Sequence, residues 1–103
     1  MSELSILRER LREFSEAREW EIFHTPKNLA MALASEAGEL LAEFQWLTAQ
    51  ESEKLSDEKL KAVELEIADV MIYLVRLADV LGLDIFKAAM TKIEINEGRF
   101  PPK

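Results

Sequence analysis

The chain has 103 residues, of which 49% are hydrophobic and 32% charged, with no cysteine and a formal net charge of −7 at pH 7. This length fits a single domain, and without cysteine neither a disulfide nor a thiolate metal site can form. The negative charge disfavours long nucleic acids as partners. No apolar stretch reaches the roughly 20 residues that span a membrane, and no basic leader precedes an apolar run. We therefore expect a cytoplasmic protein without a membrane partner.

Helical periodicity dominates the first half of the chain. Apolar side chains recur at helical spacing along residues 3–23, beginning with Leu4, Leu7 and Leu11. They predict an amphipathic first helix with one buried side. Thr25 followed by Pro26 is typical of an N-cap and a first helical residue, so a second helix is predicted to begin there and to run to about residue 47.

A short connection and a long helix follow. Thr48 and Glu51 have the spacing of a capping box, which predicts a short turn or helix. Ser56 predicts the start of a long third helix, and Gly82 is its predicted stop after about residue 81.

The last predicted helix covers residues 85–96, with Asp84 as its cap and Gly98 as its end. Residues 99–103 and 1–2 are expected to be irregular tails. The sequence therefore predicts an all-α protein, a four-to-five-helix bundle that forms one domain over residues 1–103.

The predicted third helix is apolar on nearly every side. Between residues 67 and 81 the only charged residues are Asp69, Arg76 and Asp79. A helix of this kind must be covered by more than one neighbour, which a single domain of four helices can hardly provide. We therefore expect a homodimer or a homotetramer.

Two pairs of carboxylates lie among the apolar residues of the second and third helices. Glu36 with Glu39, and Glu66 with Asp69, are spaced i, i+3, so both members of a pair share one side of a helix. Buried carboxylates are costly unless they are neutralised, paired with bases or bound to a cation. Their oxygens suit Mg²⁺, with Mn²⁺ also possible. The pattern favours a metal centre; the alternatives are ordinary surface charge and pairing with Arg or Lys from elsewhere in the fold.

Five segments together form a recognisable pattern. They are EWEIFHTPKNL at 19–29, EAGE at 36–39, FQW at 44–46, EIADV at 66–70 and the closing segment from Lys92 through Asn96 to Arg99. In this order they resemble the MazG-like nucleoside triphosphate pyrophosphohydrolases, and among them most of all the small dCTP pyrophosphatase type. The likeness extends from about Trp20 to Pro101.

This resemblance implies an all-α pyrophosphatase bundle, assembled as a dimer or tetramer, with Mg²⁺ held by catalytic carboxylates. These are Glu36, Glu39, Glu66 and Asp69. The implied reaction cleaves a nucleoside triphosphate between its α- and β-phosphates, giving the monophosphate and pyrophosphate, with dCTP or a modified analogue as the expected substrate. The implied role is house-cleaning of the nucleotide pool.

The resemblance also implies a substrate-binding set, namely Trp20, His24, Trp46, Tyr73, Lys92, Asn96 and Arg99. Aromatic rings can stack on a base, and a nearby histidine can hydrogen-bond to its edge. Phe100 departs from the family pattern, which often has tyrosine there. The aromatic, histidine and basic members also have a purely structural interpretation, with the tryptophans covering helix ends, Tyr73 in the core, His24 as a hydrogen-bonded loop residue and the basic residues in solvent.

Two alternative functions remain open at this point. One is a dUTP or phosphoribosyl-ATP pyrophosphatase on a similar bundle. The other is a non-catalytic helical dimerisation module in which the carboxylates are structural.

Overall fold

The computed structural model describes residues 1–103 and contains five helices and no strand. The helices are α1 (Glu3–Ala17), α2 (Pro26–Ala42), α3 (Ala49–Ser52), α4 (Asp57–Val80) and α5 (Ile85–Arg99). The all-α prediction is confirmed. None of the five combines the length and apolar composition that crossing a membrane requires.

Each helix begins at a polar cap whose side chain accepts a hydrogen bond from a backbone N–H three residues later. The caps are Ser2, Thr25, Thr48, Ser56 and Asp84. Thr48 and Glu51 form the reciprocal capping box, in which the Glu51 carboxylate accepts from the Thr48 N–H at 2.8 Å and Thr48 Oγ1 accepts from the Glu51 N–H at 3.1 Å. The four helix starts predicted from Thr25, Thr48, Ser56 and Asp84 are confirmed, because these side chains satisfy backbone donors that a helix leaves free.

The predicted end of α1 at residue 23 is wrong, since the helix stops at Ala17. Glu19 adopts a left-handed conformation with φ 55°, its N–H donates to the carbonyl of Glu16, and the N–H of Trp20 donates to the carbonyl of Ser15. This is a Schellman ending, with glutamate at the position where glycine is usual. Trp20 then packs edge-on against Phe14 with ring centroids 5.5 Å apart, and this contact accompanies the turn.

Two other helix ends also differ from prediction. α2 stops at Ala42 instead of about residue 47, and the next turn is tightened by bonds between residues three apart, such as Phe44 N–H to the carbonyl of Leu41 at 2.9 Å. α5 continues through Gly98 to Arg99, so the irregular tail begins at Phe100. Gly82, in contrast, ends α4 as predicted, with φ 70°.

α4 is the centre of the fold. It packs mainly against α2 and over a smaller area against α1, whereas α5 has no comparable partner within the chain. Only three apolar side chains are buried, namely Leu29, Val63 and Val75. The radius of gyration is 16.5 Å, against roughly 13 Å for a compact chain of this length. A single chain therefore leaves much of its apolar surface uncovered.

Candidate metal centre

α2 and α4 lie antiparallel, and polar contacts mark the alignment of the pair. At one end Lys59 Nζ on α4 lies 2.7 Å from a carboxylate oxygen of Glu43, just after α2. At the other end Arg76 Nε on α4 donates to Nδ1 of His24, just before α2, at 3.1 Å. Glu36, Glu39 and Glu66 lie between these two contacts.

The structure brings three of the four predicted carboxylates together. One oxygen from each of Glu36, Glu39 and Glu66 lies within 4.8 Å of the others. Asp69 lies one helical turn beyond Glu66 and outside this group, although its charge acts on both Glu36 and Glu66. The acidic cluster is defined here as Glu36, Glu39 and Glu66.

No basic side chain forms an ion pair with the acidic cluster or with Asp69. Oε2 of Glu36 and Oε2 of Glu66 are buried and have no hydrogen-bond partner. Buried polar atoms are normally hydrogen-bonded, so two orphaned carboxylate oxygens on facing helices call for an explanation. Pairing with Arg or Lys does not provide one.

The electrostatics of the acidic cluster disfavour its own charge. Burial raises the pKa of Glu36, and the neighbouring charges of Glu39 and Asp69 raise it further. Burial likewise raises the pKa of Glu66, again followed by Glu39 and Asp69. A divalent cation would relieve both effects, because it neutralises the charges and gives the orphaned oxygens a partner. Hard carboxylate donors of this kind fit Mg²⁺ or Mn²⁺.

Two of the predicted base-binding residues also meet. The rings of Trp20 and His24 contact edge-on with centroids 5.8 Å apart, and His24 is half-buried. Burial lowers the pKa of His24, and the charge of Arg76 lowers it further. Tyr73 is half-buried on α4, between Asp69 and Arg76 in sequence and on the same side of the helix.

Trp46 does not join this aromatic pair within one chain. It follows the C-terminal end of α2, whereas His24 precedes its N-terminal end, and a helix of 17 residues is about 25 Å long. Trp46 is 86% exposed. A pocket that contains both residues therefore cannot form from a single copy as folded here.

The three predicted substrate-binding residues of α5 lie on the helix that packs least. Lys92 and Arg99 are exposed, Asn96 is half-buried, and the Arg99 guanidinium lies 5.2 Å from the centroid of the Phe100 ring. No hydrogen bond or ion pair connects any of the three side chains to the acidic cluster. Their roles stay predictions.

Sequence reasoning did not identify the polar network that holds His24. Arg76 and Asp79 were evident as rare charges in an apolar helix, but their partners come from distant segments. Arg76 contacts His24, and Asp79 accepts from Arg12 Nε at 2.7 Å. The signal that could have pointed to them is the cost of burying an unpaired charge, which predicts partners without identifying them.

Comparison with known proteins gives consistent similarities. A model of the MazG-like family matches residues 31–101. The chain is 43% identical over 91 residues to dCTP pyrophosphatase 1 of Homo sapiens, covering 86% of this chain and 54% of the human protein, and 40% identical to the Mus musculus protein over the same shares. The crystal structure of a pyrophosphatase from Archaeoglobus fulgidus matches with a TM-score of 0.93 and 40% identity, over 99% of this chain and 95% of that one. The chain thus spans about half the length of the dCTP pyrophosphatases that it matches.

Proposed function

The chain belongs to the MazG-like family, and from that premise we propose that it is a nucleotide pyrophosphohydrolase, which cleaves a nucleoside triphosphate to the monophosphate and pyrophosphate. The observation that carries the proposal is the acidic cluster with its two orphaned oxygens on Glu36 and Glu66. The similarity to the dCTP pyrophosphatases and to the archaeal pyrophosphatase supports the reaction class.

Glu36, Glu39 and Glu66, together with Asp69, are proposed to hold Mg²⁺. When bound, Mg²⁺ would neutralise phosphate charge and activate a water for attack at phosphorus. The carboxylates lie on two packed helices and would hold the cation in a fixed position, so little reorganisation is needed when a triphosphate arrives. Without a cation the same negative charges would repel the phosphate chain.

Trp20, His24 and Tyr73 are proposed to receive the base. The Trp20 and Tyr73 rings offer stacking surfaces and His24 offers a ring nitrogen for hydrogen bonding. The similarity to the dCTP pyrophosphatases favours dCTP or a modified cytosine analogue as substrate. House-cleaning of the nucleotide pool, the role that the resemblance implies, is part of the proposal. A cytoplasmic location stays a prediction.

The site is proposed to be completed in a homodimer or homotetramer. α5 exposes a row of large apolar side chains, among them Phe86 at 61%, Met90 at 47% and Ile93 at 50%. A helix with such a face needs a partner, and a second copy could also supply Trp46, Lys92, Asn96 and Arg99 to the site.

Light scattering at micromolar concentration tests the assembly. We expect a mass of two or four chains of 11.8 kDa, because the exposed apolar faces are removed from water only in an oligomer. A monomer mass across the range from 1 to 100 μM, on the order of typical working concentrations, would contradict the proposal.

A panel of nucleoside triphosphates tests the reaction. We expect Mg²⁺-dependent release of pyrophosphate and the monophosphate, fastest with dCTP or a modified dCTP analogue, with Mn²⁺ able to replace Mg²⁺ and EDTA abolishing turnover. Preference for dUTP or phosphoribosyl-ATP would favour the alternative pyrophosphatases. Release of orthophosphate alone would reject the proposed reaction. No turnover with any substrate in either metal would reject it too, and would favour the non-catalytic helical dimerisation module.

A further inference from the structure

We propose that Arg76 is a positioning residue that holds His24 in one neutral tautomer, with the ring proton on Nε2, so that His24 presents an N–H donor to an acceptor atom on the base of the nucleotide. The contact between His24 and the base rests on the function proposed above. The tautomer itself rests only on the contacts of His24.

The direction of the hydrogen bond between Arg76 and His24 determines which ring nitrogen of His24 carries the proton. Arg76 Nε donates to Nδ1 of His24 at 3.1 Å. A guanidinium has only donors and does not lose its proton in proteins, so Nδ1 must be the acceptor. In a neutral imidazole the other nitrogen then carries the proton.

Burial and an ion pair with Asp79 hold the Arg76 side chain in place. Its side chain is only 10% exposed, and its Nη1 lies 3.4 Å from Oδ2 of Asp79. Asp79, itself 8% exposed in its side chain, accepts two hydrogen bonds from the Arg12 guanidinium on α1. Bidentate pairs of this kind have a fixed geometry. Arg76 therefore cannot easily turn away from His24.

The charges around His24 keep its ring neutral. An imidazolium would place a second cation, with an N–H on Nδ1, directly against the Arg76 guanidinium. Burial of the ring opposes that charge as well, and Glu21 on the same loop is the one acid whose charge acts the other way. Asp79 on α4 is already paired with Arg12 and Arg76, so it does not offset the cost. His24 is accordingly a neutral donor through Nε2.

A fixed donor has a consequence for recognition. Bases that turn a carbonyl oxygen or an unprotonated ring nitrogen toward His24 gain a hydrogen bond, and bases that turn an N–H toward it meet another donor. A histidine free to change tautomer would accept both kinds of edge. The network from Arg12 to Arg76 thus turns an adaptable side chain into a selective one.

His24 is the only histidine in the chain, which makes the tautomer directly measurable. In protein labelled with ¹⁵N-histidine, long-range ¹H–¹⁵N spectra identify which ring nitrogen is protonated without any assignment problem. We expect the wild-type protein at neutral pH to show a protonated Nε2 and an unprotonated Nδ1. The ring should become charged only at a lower pH than an ordinary histidine, because burial and Arg76 lower its pKa. A protonated Nδ1, a mixture of tautomers or an imidazolium at pH 7 would overturn the proposal without any variant.

Arg76→Met removes the donor and keeps most of the apolar stem. We expect a mixture of tautomers, a His24 pKa higher than in wild type, and a KM for the preferred nucleotide raised about 10-fold with kcat little changed. Arg18→Met is the matched control, because Arg18 lies 3.6 Å over the Phe14 ring in the same aromatic region without contacting His24. It should leave the spectrum and KM as in wild type.

The possible outcomes separate this inference from the proposed function. If Arg76→Met changes the tautomer and leaves KM unchanged, His24 does not contact the base and the recognition half is rejected. If Arg76→Met leaves the spectrum unchanged in a folded protein, the positioning role is rejected. If the wild type hydrolyses no nucleotide, the function fails while the spectrum still decides the tautomer.

Discussion

Glu66→Gln is expected to lower Mg²⁺-dependent pyrophosphate release by about 100- to 1,000-fold, the range found when one preorganised electrostatic group is removed from an active site. Glu66 is the α4 member of the acidic cluster, and its buried Oε2 has no partner in the protein. Glutamine keeps the shape of the side chain but removes one negative charge and one strong metal ligand. The loss should appear in kcat at saturating Mg²⁺, measured by monophosphate formation.

The same substitution is expected to raise the unfolding temperature in EDTA at neutral pH. Burial, followed by the charges of Glu39 and Asp69, raises the pKa of Glu66 in the folded protein. A carboxyl whose pKa is higher in the folded than in the unfolded protein contributes its full stabilisation at pH values below its unfolded-state pKa. That contribution is lost as the pH rises through its folded-state pKa. At pH 7.5 the ionised side chain therefore opposes folding, and the neutral amide does not.

Glu64→Gln provides the control for both measurements. Glu64 lies two residues away on α4, and its side chain is 66% exposed in an ion pair with Lys61. Such a pair contributes little, so activity and unfolding temperature should both stay near wild type. A Glu66→Gln enzyme with normal turnover would remove Glu66 from the metal centre. A variant that is inactive and also less stable in EDTA would show that the carboxylate is structural.

Local signals in the sequence were sufficient for the helix starts. Thr25, Thr48, Ser56 and Asp84 each act on a backbone donor three residues away, so their effect does not depend on the rest of the fold. The end of α1 was not readable in the same way. Glu19 occupies a left-handed position that glycine usually takes, and no local rule predicts glutamate there.

The candidate site depends on information of longer range. The i, i+3 spacing places Glu36 with Glu39, but whether they meet Glu66 depends on the antiparallel alignment of α2 and α4, which spacing does not define. The partners of the buried charges are further still, since Arg76 and His24 lie 52 residues apart in the sequence. Trp46 is a different case. The resemblance places it in one pocket with His24, whereas a single chain keeps the two residues at opposite ends of α2.

Asp79→Asn is expected to lower the free energy of unfolding by about 2–3 kcal/mol at pH 7. Breaking a buried ion pair costs about 3–5 kcal/mol, because a charge is left without its partner. The cost is near the low end of that range because the Arg12 side chain is 42% exposed and can be hydrated when its partner is lost. The cost remains substantial because the Arg76 side chain is only 10% exposed and cannot easily be hydrated. In thermal unfolding at one fixed protein concentration, this should lower the midpoint by about 10 °C or more.

The pH dependence of that difference distinguishes lost charge pairing from lost packing. The hydrogen bonds from Arg12 are the main cause that lowers the pKa of Asp79 in the folded protein. A carboxyl whose pKa is lower in the folded than in the unfolded protein contributes its full stabilisation at pH values above its unfolded-state pKa of about 4. That contribution is lost as the pH falls through its folded-state pKa. The gap between wild type and Asp79→Asn should therefore be constant from pH 5 to 7 and narrow below about pH 4. Asp57→Asn, an exposed change on the same helix, should show a small effect throughout. A gap that does not narrow as the pH falls below about 4 would mean that Asp79 stabilises the fold by shape, and the anchoring of Arg76 by charge would then be wrong.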